Sequence, residues 1–472
     1  MSKAIEVRNP RTGKFDYVII PPPPKLIAQQ CKRLRRSQKN WLQLGLEQRI
    51  EVLQQWKQAI LSEVDKLTEA LVNDTGRLSI SVLEIDSFVS SIDRWCQLAP
   101  ELLQESVKDT AISFIQLQQT AVPYPLVGVI SPWNFPLLLS TIDTIPALLA
   151  GCAVIIKPSE MTPRFMAPLL ASLNAVPKLR DVLTFIEGAG ETGAALIEYV
   201  DLVCFTGSVA TGRKVAQAAA KRFIPAFLEL GGKDPAVVLS SANLDLATSA
   251  ILWGSVVNTG QSCLSIERIY VAESIFEEFV EQLITKAQRL QLAYPTPESG
   301  DIGPIIAERQ AAIISDHLLD AVEQGAVVHC GGEIENQGGG WWCHPTVLTQ
   351  VNHSMKVMTE ETFGPIMPVM PFSTIEEAVN LANDSIYGLS AAVFAQSEAE
   401  ALEVARQIDA GAISINDAAL TAIMHEGEKN AFKFSGLGGS RMGSTALTRF
   451  MRKKAFLVKT QPIADPWWFD SH

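Results

Sequence analysis

Short apolar runs alternate with helical stretches from Leu126 onward, and this alternation limits the possible folds more than any other feature of the chain. Parallel strands need long crossovers, usually helices, so the pattern predicts an α/β fold with a doubly wound parallel sheet. One helical stretch covers residues 212–222. The predicted strands of this region are residues 126–130, 152–156, 183–186, 202–205 and 226–230.

A second alternating region covers residues 235–430, with predicted strands at 236–239 and 268–271 and a long helix at 275–290. Before the first sheet, residues 27–98 carry apolar side chains at steps of three and four, which indicates helices. They follow an entry segment that ends in the prolines of residues 21–24, a run that we expect to be an extended spacer. Residues 111–124 alternate in a way typical of a hairpin, and residues 455–458 read as a further strand.

Length and charge narrow the class of protein. The chain has 472 residues, 47% of them hydrophobic, which is enough for two or three domains with their own cores. Its 39 basic and 51 acidic side chains give a net charge of −12, which disfavours nucleic acid as a partner. Prolines and Asp143 interrupt the most apolar region, so we expect no membrane span.

Seven cysteines are scattered along the chain rather than grouped as a disulfide framework. The first residues, beginning Met1-Ser2-Lys3, lack the apolar stretch of a secretory signal. We therefore expect a cytoplasmic protein.

Two glycine loops join a strand to a helix. Residues 188–193 read GxGxxG, the form of a dinucleotide fingerprint, but they follow the third strand and lack an acidic residue about 20 positions on. The loop Phe205-Thr206-Gly207-Ser208 offers either a helix cap through Ser208 or a phosphate site, and one loop can serve both purposes.

Cys263 and Glu229 are candidates for chemistry. A lone cysteine is more often a small buried side chain than a nucleophile. Cys263, however, follows Gly260, Gln261 and Ser262, which indicates a turn where a thiol is accessible. Glu229 is a carboxylate within the apolar run 226–230, where a charge is costly unless it is paired or functional.

Together with four other motifs, these residues resemble the NAD(P)-dependent aldehyde dehydrogenases. The similarity covers nearly the whole chain, and its six motifs stand in the family's order. They are Pro132-Trp133-Asn134-Phe135-Pro136, Lys157-Pro158-Ser159-Glu160, Phe205-Thr206-Gly207-Ser208, Leu228-Glu229-Leu230-Gly231-Gly232-Lys233, Gly260-Gln261-Ser262-Cys263 and Glu361-Thr362-Phe363-Gly364-Pro365.

The resemblance implies a role for each catalytic candidate. Cys263 would attack the aldehyde, Asn134 and the Cys263 backbone N–H would hold the oxyanion, and Glu229 would activate the water that hydrolyses the thioester. A CoA-acylating dehydrogenase and a non-catalytic oligomeric scaffold are the alternatives; Glu229 argues against the first and the intact Cys263, Glu229 and Asn134 set against the second.

The resemblance also implies NAD as the cofactor. Lys157 and Glu160 would meet the adenosine ribose, Gly207 and Ser208 the pyrophosphate, Glu361 and Phe363 the nicotinamide ribose, and Gly190 the adenine. Glu160 would repel a 2′-phosphate, whereas Lys157 leaves NADP possible. The full set of expected cofactor contacts is Ile130, Ser131, Pro132, Trp133, Lys157, Ser159, Glu160, Gly190, Phe205, Thr206, Gly207, Ser208, Leu230, Gly231, Glu361 and Phe363.

The family organisation predicts three parts: a Rossmann-like NAD-binding domain (residues 1–108 and 125–232), a catalytic domain (233–440) and a small β oligomerisation arm (109–124 and 441–472). The arm implies a homodimer or homotetramer, and the aromatic tail at 466–469 is either a partner site or a subunit contact. The sequence departs from the family at Ser440, where many members carry an acidic residue.

The substrate and metal predictions are the least constrained. Phe135, Leu139, Ile142 and Leu264 indicate an apolar aldehyde if they line the pocket, or are ordinary core residues. His329-Cys330 and Cys343-His344 look like zinc ligands, but neighbours on a strand point to opposite faces, so we expect no metal.

Overall fold

Two mainly parallel sheets and one antiparallel arm organise the chain in a computed structural model, which describes residues 3–461. None of the helices in that range combines the length and apolar character needed to cross a bilayer. The expected α/β fold with two parallel-sheet units is confirmed.

The first sheet has six strands, and five of them are the predicted ones, with ends shifted by no more than one residue. Four neighbouring pairings are parallel; the added edge strand Gly436–Leu437 runs antiparallel. Buried apolar side chains on both faces explain the near-continuous hydrophobic runs. In spatial order the strands are Gly436–Leu437, Ala226–Glu229, Leu202–Thr206, Leu126–Ile130, Ala153–Lys157 and Leu183–Phe185.

Helices cover this sheet, and the predicted N-terminal helical region forms four of them. Pro24 is the first residue of the first helix, so the expectation that the whole proline run is an extended spacer is wrong at its last residue. Proline fits there because the first helical position needs no N–H donor. The helices are Pro24–Gln43, Gly45–Leu61, Val64–Thr75, Ser79–Leu102, Pro136–Thr141, Thr144–Ala150, Met166–Asn174, Pro177–Arg180, Gly190–Ile197 and Val209–Arg222.

The second sheet has seven strands, of which only the edge strand Val327–Cys330 pairs antiparallel. Its strands, in spatial order, are Val327–Cys330, Thr346–Thr349, Ile366–Phe372, Ile266–Ala272, Asp234–Val238, Ser390–Phe394 and Ala412–Ile415. The associated helices are Leu244–Val256, Phe276–Ala287, Glu308–Glu323, Lys356–Thr359, Ile375–Asn383, Glu398–Ala405 and Leu420–Ile423, with 3-10 turns at Val257–Gly260 and Glu273–Ile275. The short helix Thr445–Thr448 packs instead against Thr144–Ala150 and Ser79–Leu102 in the core of the first sheet.

The arm is a three-stranded antiparallel sheet in which Ile115–Pro123 lies between Met451–Lys459 and Ser106–Asp109. A hairpin was expected at residues 111–124, but its first strand comes earlier, because residues 110–114 form the connection. The aromatic tail at 466–469 lies outside the described residues. Three small two-stranded antiparallel sheets complete the fold: the hairpins Ile5–Arg8 with Phe15–Ile19 and Ile334–Gln337 with Gly340–Cys343, and the long-range pair Tyr387–Gly388 with Phe432–Lys433.

The two large sheets meet where the first one ends. Ile130, Lys157, Thr206 and Glu229 are the last residues of four neighbouring strands, so their side chains share the carboxyl edge of the first sheet. Gly232 lies three residues after Glu229, and a Cβ on Gly232 would lie 2.3 Å from the Cys263 carbonyl oxygen. Only glycine permits this approach, which brings the edge of the first sheet against the loop that carries Cys263.

Candidate active site

Cys263 lies in a strained loop between a helix and the central strand Ile266–Ala272 of the second sheet. Before it, Asn258, Thr259 and Gly260 all adopt left-handed conformations, with φ of 57°, 59° and 68°. Two consecutive non-glycine residues in that region are uncommon, and such strain concentrates at functional sites. A Cβ on Gly260 would lie 2.2 Å from the Gly364 carbonyl oxygen, so the loop is also pressed against the segment 361–365.

A network of amide groups joins Asn134 to this loop. The Asn134 side-chain amide donates to the Gln261 carbonyl at 3.0 Å. Asn258 Nδ2 donates both to that carbonyl, at 2.9 Å, and to the Asn134 carbonyl, at 3.0 Å. All three side chains are buried. The structure thus brings together the predicted oxyanion-binding amide and the predicted nucleophile's loop, although they are more than a hundred positions apart in the sequence.

Glu229 reaches the same place from the first sheet. It is the last residue of strand Ala226–Glu229, and its half-buried carboxylate makes no hydrogen bond to another side chain or amide among residues 3–461. Its negative charge acts on the Cys263 thiol. Its charge also acts on the buried Arg441 guanidinium. A carboxylate whose charge reaches a thiol, and which makes no hydrogen bond to another side chain, can act as a base for a water molecule placed between them.

Burial raises the pKa of the Cys263 thiol to about 12, and the charges of Glu361, Glu229 and Asp234 add to the rise. Lys429 acts in the opposite direction. Glu361 accepts a hydrogen bond from the Gly232 N–H at 3.0 Å. Burial, followed by the charge of Glu267, raises the pKa of the Glu361 carboxyl to about 8.

A crevice along the carboxyl edge of the first sheet holds further polar groups. Lys157, only 4% exposed, pairs with Glu160 at 3.3 Å. Ser208 caps helix Val209–Arg222 by accepting from the Thr211 N–H at 3.3 Å, so the cap reading of this loop is correct. Trp133 and Phe363 meet edge to face, with ring centroids 5.5 Å apart.

The whole chain matches proteins of one family. The family model described as "Aldehyde dehydrogenase family" matches residues 1–456. The chain belongs to the aldehyde dehydrogenase family. The resemblance found in the motifs is therefore confirmed, and with it the predicted activity, oxidation of an aldehyde to a carboxylic acid by an NAD(P)-dependent enzyme.

The relatives of this aldehyde dehydrogenase differ in their sequence identity to it. The 4,4'-diapolycopene aldehyde oxidase of Methylomonas sp. is 38% identical over 455 residues, which cover 94% of this chain and 84% of the relative. A solved structure of PutA from Anabaena variabilis, assigned provisionally as an aldehyde dehydrogenase, has 78% identity and a TM-score of 0.98, with 99% and 100% coverage. Betaine aldehyde dehydrogenase of Staphylococcus aureus, solved with NAD+, has 29% identity and a TM-score of 0.92, with 99% and 94% coverage.

The crevice of this aldehyde dehydrogenase fits a dinucleotide. The buried Lys157 ammonium and the partly exposed Glu160 carboxylate form a donor and an acceptor suited to ribose hydroxyls. Gly207 precedes the capped helix start, where backbone N–H groups attract phosphate, and a Cβ there would meet Phe205 at 2.6 Å. The residues present are therefore compatible with the cofactor expected from the sequence.

The other residues predicted for the cofactor spread around this crevice. Ser131 donates or accepts a 2.6 Å bond with Ser140, and Ser159 accepts from the Met161 N–H. Gly190 begins helix Gly190–Ile197 with open space where a Cβ would be. A Cβ on Gly231 would lie 2.7 Å from a Glu361 oxygen, so this glycine is needed for close approach. The remaining members are Ile130, Pro132, Thr206 and Leu230, which lie at strand ends or next to them.

Sequence reasoning missed a buried ion pair beside the motif of residues 361–365. Lys233 Nζ donates to Glu267 at 2.7 Å and to Thr362 at 3.0 Å. The Glu267 carboxylate also accepts from the Thr362 and Phe363 N–H groups, at 2.7 and 2.8 Å, and so fixes the segment after Glu361. The signal was present, since Glu267 is a charge within an apolar strand, as Glu229 is.

A second cluster of charged side chains, which the sequence did not reveal, lies around Ser440, the residue at which the chain departs from the family pattern. Ser440 is buried and accepts from the Lys429 N–H at 3.0 Å. The next residue, Arg441, donates to Asp143 at 3.0 Å and to Thr206 at 2.5 Å, and Arg449 also pairs with Asp143. A buried cation thus stands beside the position where many family members carry an acidic residue.

The cysteine and histidine pairs considered as zinc ligands have other partners. His329 bonds to Thr349 at 2.7 Å, Cys330 donates to the Pro345 carbonyl and Cys343 to the His344 carbonyl, both at 3.5 Å. Within residues 3–461, no three His, Cys, Asp or Glu side chains are grouped as a metal site would require.

Proposed function

We propose that Cys263, Asn134 and Glu229 carry out the oxidation. A Cys263 thiolate attacks the aldehyde carbon, and the resulting oxyanion receives hydrogen bonds from the Asn134 amide and the Cys263 N–H. When bound, NAD accepts a hydride from that carbon, which leaves a thioester on Cys263. Glu229 takes a proton from water and then passes it to solvent, the hydroxide displaces the sulfur, and the acid leaves the regenerated Cys263 thiolate.

The observation that carries this proposal is the convergence of three distant segments. The Asn134 amide bonds to the Gln261 carbonyl, two residues before Cys263, and the Glu229 carboxylate acts on the same thiol. A CoA-dependent enzyme needs no base for a water nucleophile, so the presence of the Glu229 carboxylate beside Cys263 favours hydrolysis.

We also propose NAD as the preferred cofactor. The S. aureus relative was solved with NAD+. Glu160, paired with Lys157 at 3.3 Å, would repel a 2′-phosphate.

We propose the same domain division as the sequence predicts, with an NAD-binding domain at residues 1–108 and 125–232 and a catalytic domain at 233–440. All seven cysteines lie within the described residues and carry free thiols, which supports a cytoplasmic enzyme.

An apolar aldehyde is the proposed substrate. Phe135, Leu139, Ile142 and Leu264, which flank Asn134 and Cys263 in sequence, are half-buried rather than fully buried core residues. The Methylomonas relative is named for an apolar substrate, a 4,4'-diapolycopene aldehyde. These observations favour a pocket lined by apolar side chains.

A panel of aldehydes tests the function. Purified enzyme is given linear alkanals of increasing length, betaine aldehyde and succinic semialdehyde, each with NAD, NADP, or NAD plus CoA. We expect kcat/KM to rise about fourfold per added methylene, since each buried methylene contributes about 0.8 kcal/mol. A flat series would contradict the apolar pocket. An acyl-CoA product would support the CoA-acylating alternative, and no turnover with any aldehyde would support a scaffold.

The arm is proposed to join subunits into a homodimer or homotetramer. Val107 and Leu457, on its outer strands, are 60% and 74% exposed. Apolar side chains with so much exposure commonly lie in an interface. Light scattering of the wild type and of Val107→Lys/Leu457→Lys checks this: a smaller particle is expected from the variant, and an unchanged mass would exclude the arm as the contact.

A further inference from the structure

A buried ion pair lies behind the segment that carries Asn134. Arg77 follows the helix Val64–Thr75, and Glu84 is in the next helix, Ser79–Leu102. The two side chains are 3% and 0% exposed, and Arg77 Nη2 is 3.6 Å from Glu84 Oε1. Neither residue belongs to a motif that the sequence singled out.

Arg77 holds the beginning of the segment. Its Nη2 donates to the Asn134 carbonyl at 2.9 Å. Its guanidinium lies over the Phe135 ring, 5.4 Å from the centroid. Because Asn258 Nδ2 donates to the same carbonyl at 3.0 Å, the Asn134 peptide receives two buried hydrogen bonds.

Glu84 holds the other end. Its Oε2 accepts from the N–H groups of Leu137 and Leu138, both at 3.0 Å. These are first-turn amides of the short helix Pro136–Thr141, which have no acceptor within the helix. The positive end of the helix dipole also stabilises the negative charge of this carboxylate. One ion pair therefore fixes residues 134–138 at both ends.

The pair is incompletely satisfied. Arg77 Nε and Nη1 and Glu84 Oε1 are buried without a hydrogen-bond partner among the described residues. Burial lowers the pKa of Arg77 to about 10 and raises the pKa of Glu84 to about 7. Buried pairs of this kind often stabilise a protein less than apolar side chains of the same size. Stability alone therefore does not account for charges at this place.

The pair lies directly behind the Asn134 side chain, on the backbone that carries it. The backbone of Asn134 is held from behind by Arg77, and its side-chain amide points forward to the Gln261 carbonyl at 3.0 Å. A shift of this peptide would move the amide relative to the oxyanion that forms at Cys263. Hydrogen-bond stabilisation of an oxyanion depends on donors that are already in place.

We propose that Arg77 and Glu84 are positioning residues that hold the oxyanion-binding amide of Asn134 in its productive orientation. This inference rests on the proposed roles of Cys263 and Asn134. Arg77 and Glu84 themselves contact the backbone of the segment and act on the reaction through Asn134.

A double-mutant cycle tests the proposal. Arg77→Met removes the donor while keeping a long side chain, and Asn134→Ala removes the amide. We expect Arg77→Met to slow single-turnover NADH formation on the order of 100-fold, with the KM for NAD unchanged, because a misplaced group costs about that much. In Asn134→Ala, adding Arg77→Met should cause no further loss, since a positioning residue acts only through its target. Arg77→Lys should recover part of the rate.

Two controls separate positioning from general damage. Alkylation of Cys263 by iodoacetamide forms no oxyanion, so its rate should be unchanged in Arg77→Met. Arg164→Met breaks another buried pair, with Asp74, and should lower stability without any coupling to Asn134. If Arg77→Met does not fold, the cycle is run with Arg77→Lys and Glu84→Gln.

Additive losses in the cycle, or a wild-type single-turnover rate in Arg77→Met, would overturn the proposal. Failure of the proposed function looks different: the wild-type enzyme would then oxidise no aldehyde, or Cys263→Ala would remain active. The two results are read from different proteins and cannot be confused.

Discussion

Asn134 donates its side-chain amide to the carbonyl oxygen of Gln261 at 3.0 Å. This bond links the carboxyl edge of the first sheet to the strained loop that presents Cys263. Two elements from separate sheets thus share one small region, which also receives the Glu229 carboxylate and the Glu361 segment.

Cys263→Ala should abolish aldehyde-dependent NADH formation while leaving the thermal unfolding midpoint close to that of the wild type, since the half-buried side chain loses one sulfur atom. The measurements are steady-state absorbance at the NADH band and a melting curve. Cys330→Ala is the matched control, because this thiol is also half-buried and lies outside the site; it should keep full activity. Residual aldehyde oxidation in Cys263→Ala would remove the thiol from the mechanism.

Glu229→Gln should stop the reaction after hydride transfer. The amide cannot take a proton from water, so we expect a single burst of NADH, one equivalent per active site, followed by little turnover. Stopped-flow absorbance measures the burst. Hydroxylamine should restore turnover by attacking the thioester directly, and the exposed Glu69→Gln should behave as the wild type. Full steady-state turnover without an added nucleophile would contradict the role of Glu229.

Glu160→Gln should shift the cofactor preference toward NADP. Removing the carboxylate beside Lys157 removes a charge that repels a 2′-phosphate. We expect the ratio of kcat/KM for NADP over NAD to rise at least about fivefold, since two unit charges at 4 Å interact by about 1 kcal/mol even in water. Glu191→Gln, in the first turn of helix Gly190–Ile197, is the control. An unchanged ratio would mean that Glu160 does not discriminate between the cofactors.

Glu361→Gln should make the free thiol more reactive in alkaline solution. Glu361 is the leading charge that raises the pKa of Cys263, and its own pKa is raised to about 8. Below pH 8 most Glu361 is neutral, so the variant and the wild type should be alkylated by iodoacetamide at similar rates. Above that pH the wild-type carboxylate is ionised and suppresses the thiolate, so the ratio of variant to wild-type rates should increase.

The exposed neighbour Glu360→Gln is the control for this pH series and should follow the wild type. A rate ratio that is constant between pH 6 and pH 10 would show that the Glu361 charge does not act on the thiol.

Glu267→Ala should destabilise the protein by about 3–5 kcal/mol, because it leaves the buried Lys233 ammonium without its counter-charge. Urea unfolding followed by tryptophan fluorescence measures the loss. Lys66→Gln breaks the exposed pair with Glu63 and should change stability by no more than about 0.5 kcal/mol. Equal effects of the two substitutions would exclude the buried pair as a structural element.

Strand positions could be predicted from the sequence where both faces of a strand are buried. The five predicted strands of the first sheet are apolar on both faces, so continuous hydrophobic runs located each of them to within one residue. The strands Ser106–Asp109 and Gly436–Leu437 were harder to predict, because each is too short to form an apolar run and depends on its partner strand for hydrogen bonds. The hairpin of the arm was consequently placed a few residues too late.

The residues of the candidate site also differ in whether the sequence alone revealed them. Cys263, Glu229 and Asn134 were found because each is an unusual residue in its local context or belongs to a family motif. Arg77 and Glu84 gave no such signal, because isolated charges are ordinary on a helix and in the short connection between two helices. Only the packing shows that both are fully buried and directed at residues 134–138.

The sequence by itself determined the α/β class and the family, and it singled out Cys263 and Glu229 as the candidate nucleophile and base, since these depend on local patterns of apolar runs, glycines and rare residue types. The tertiary structure decided which charges are buried together, because desolvation and pairing depend on distances between segments that are far apart in the chain. The pairs Arg77 with Glu84 and Lys233 with Glu267, and the cluster of Arg441 and Asp143, exist only at that level.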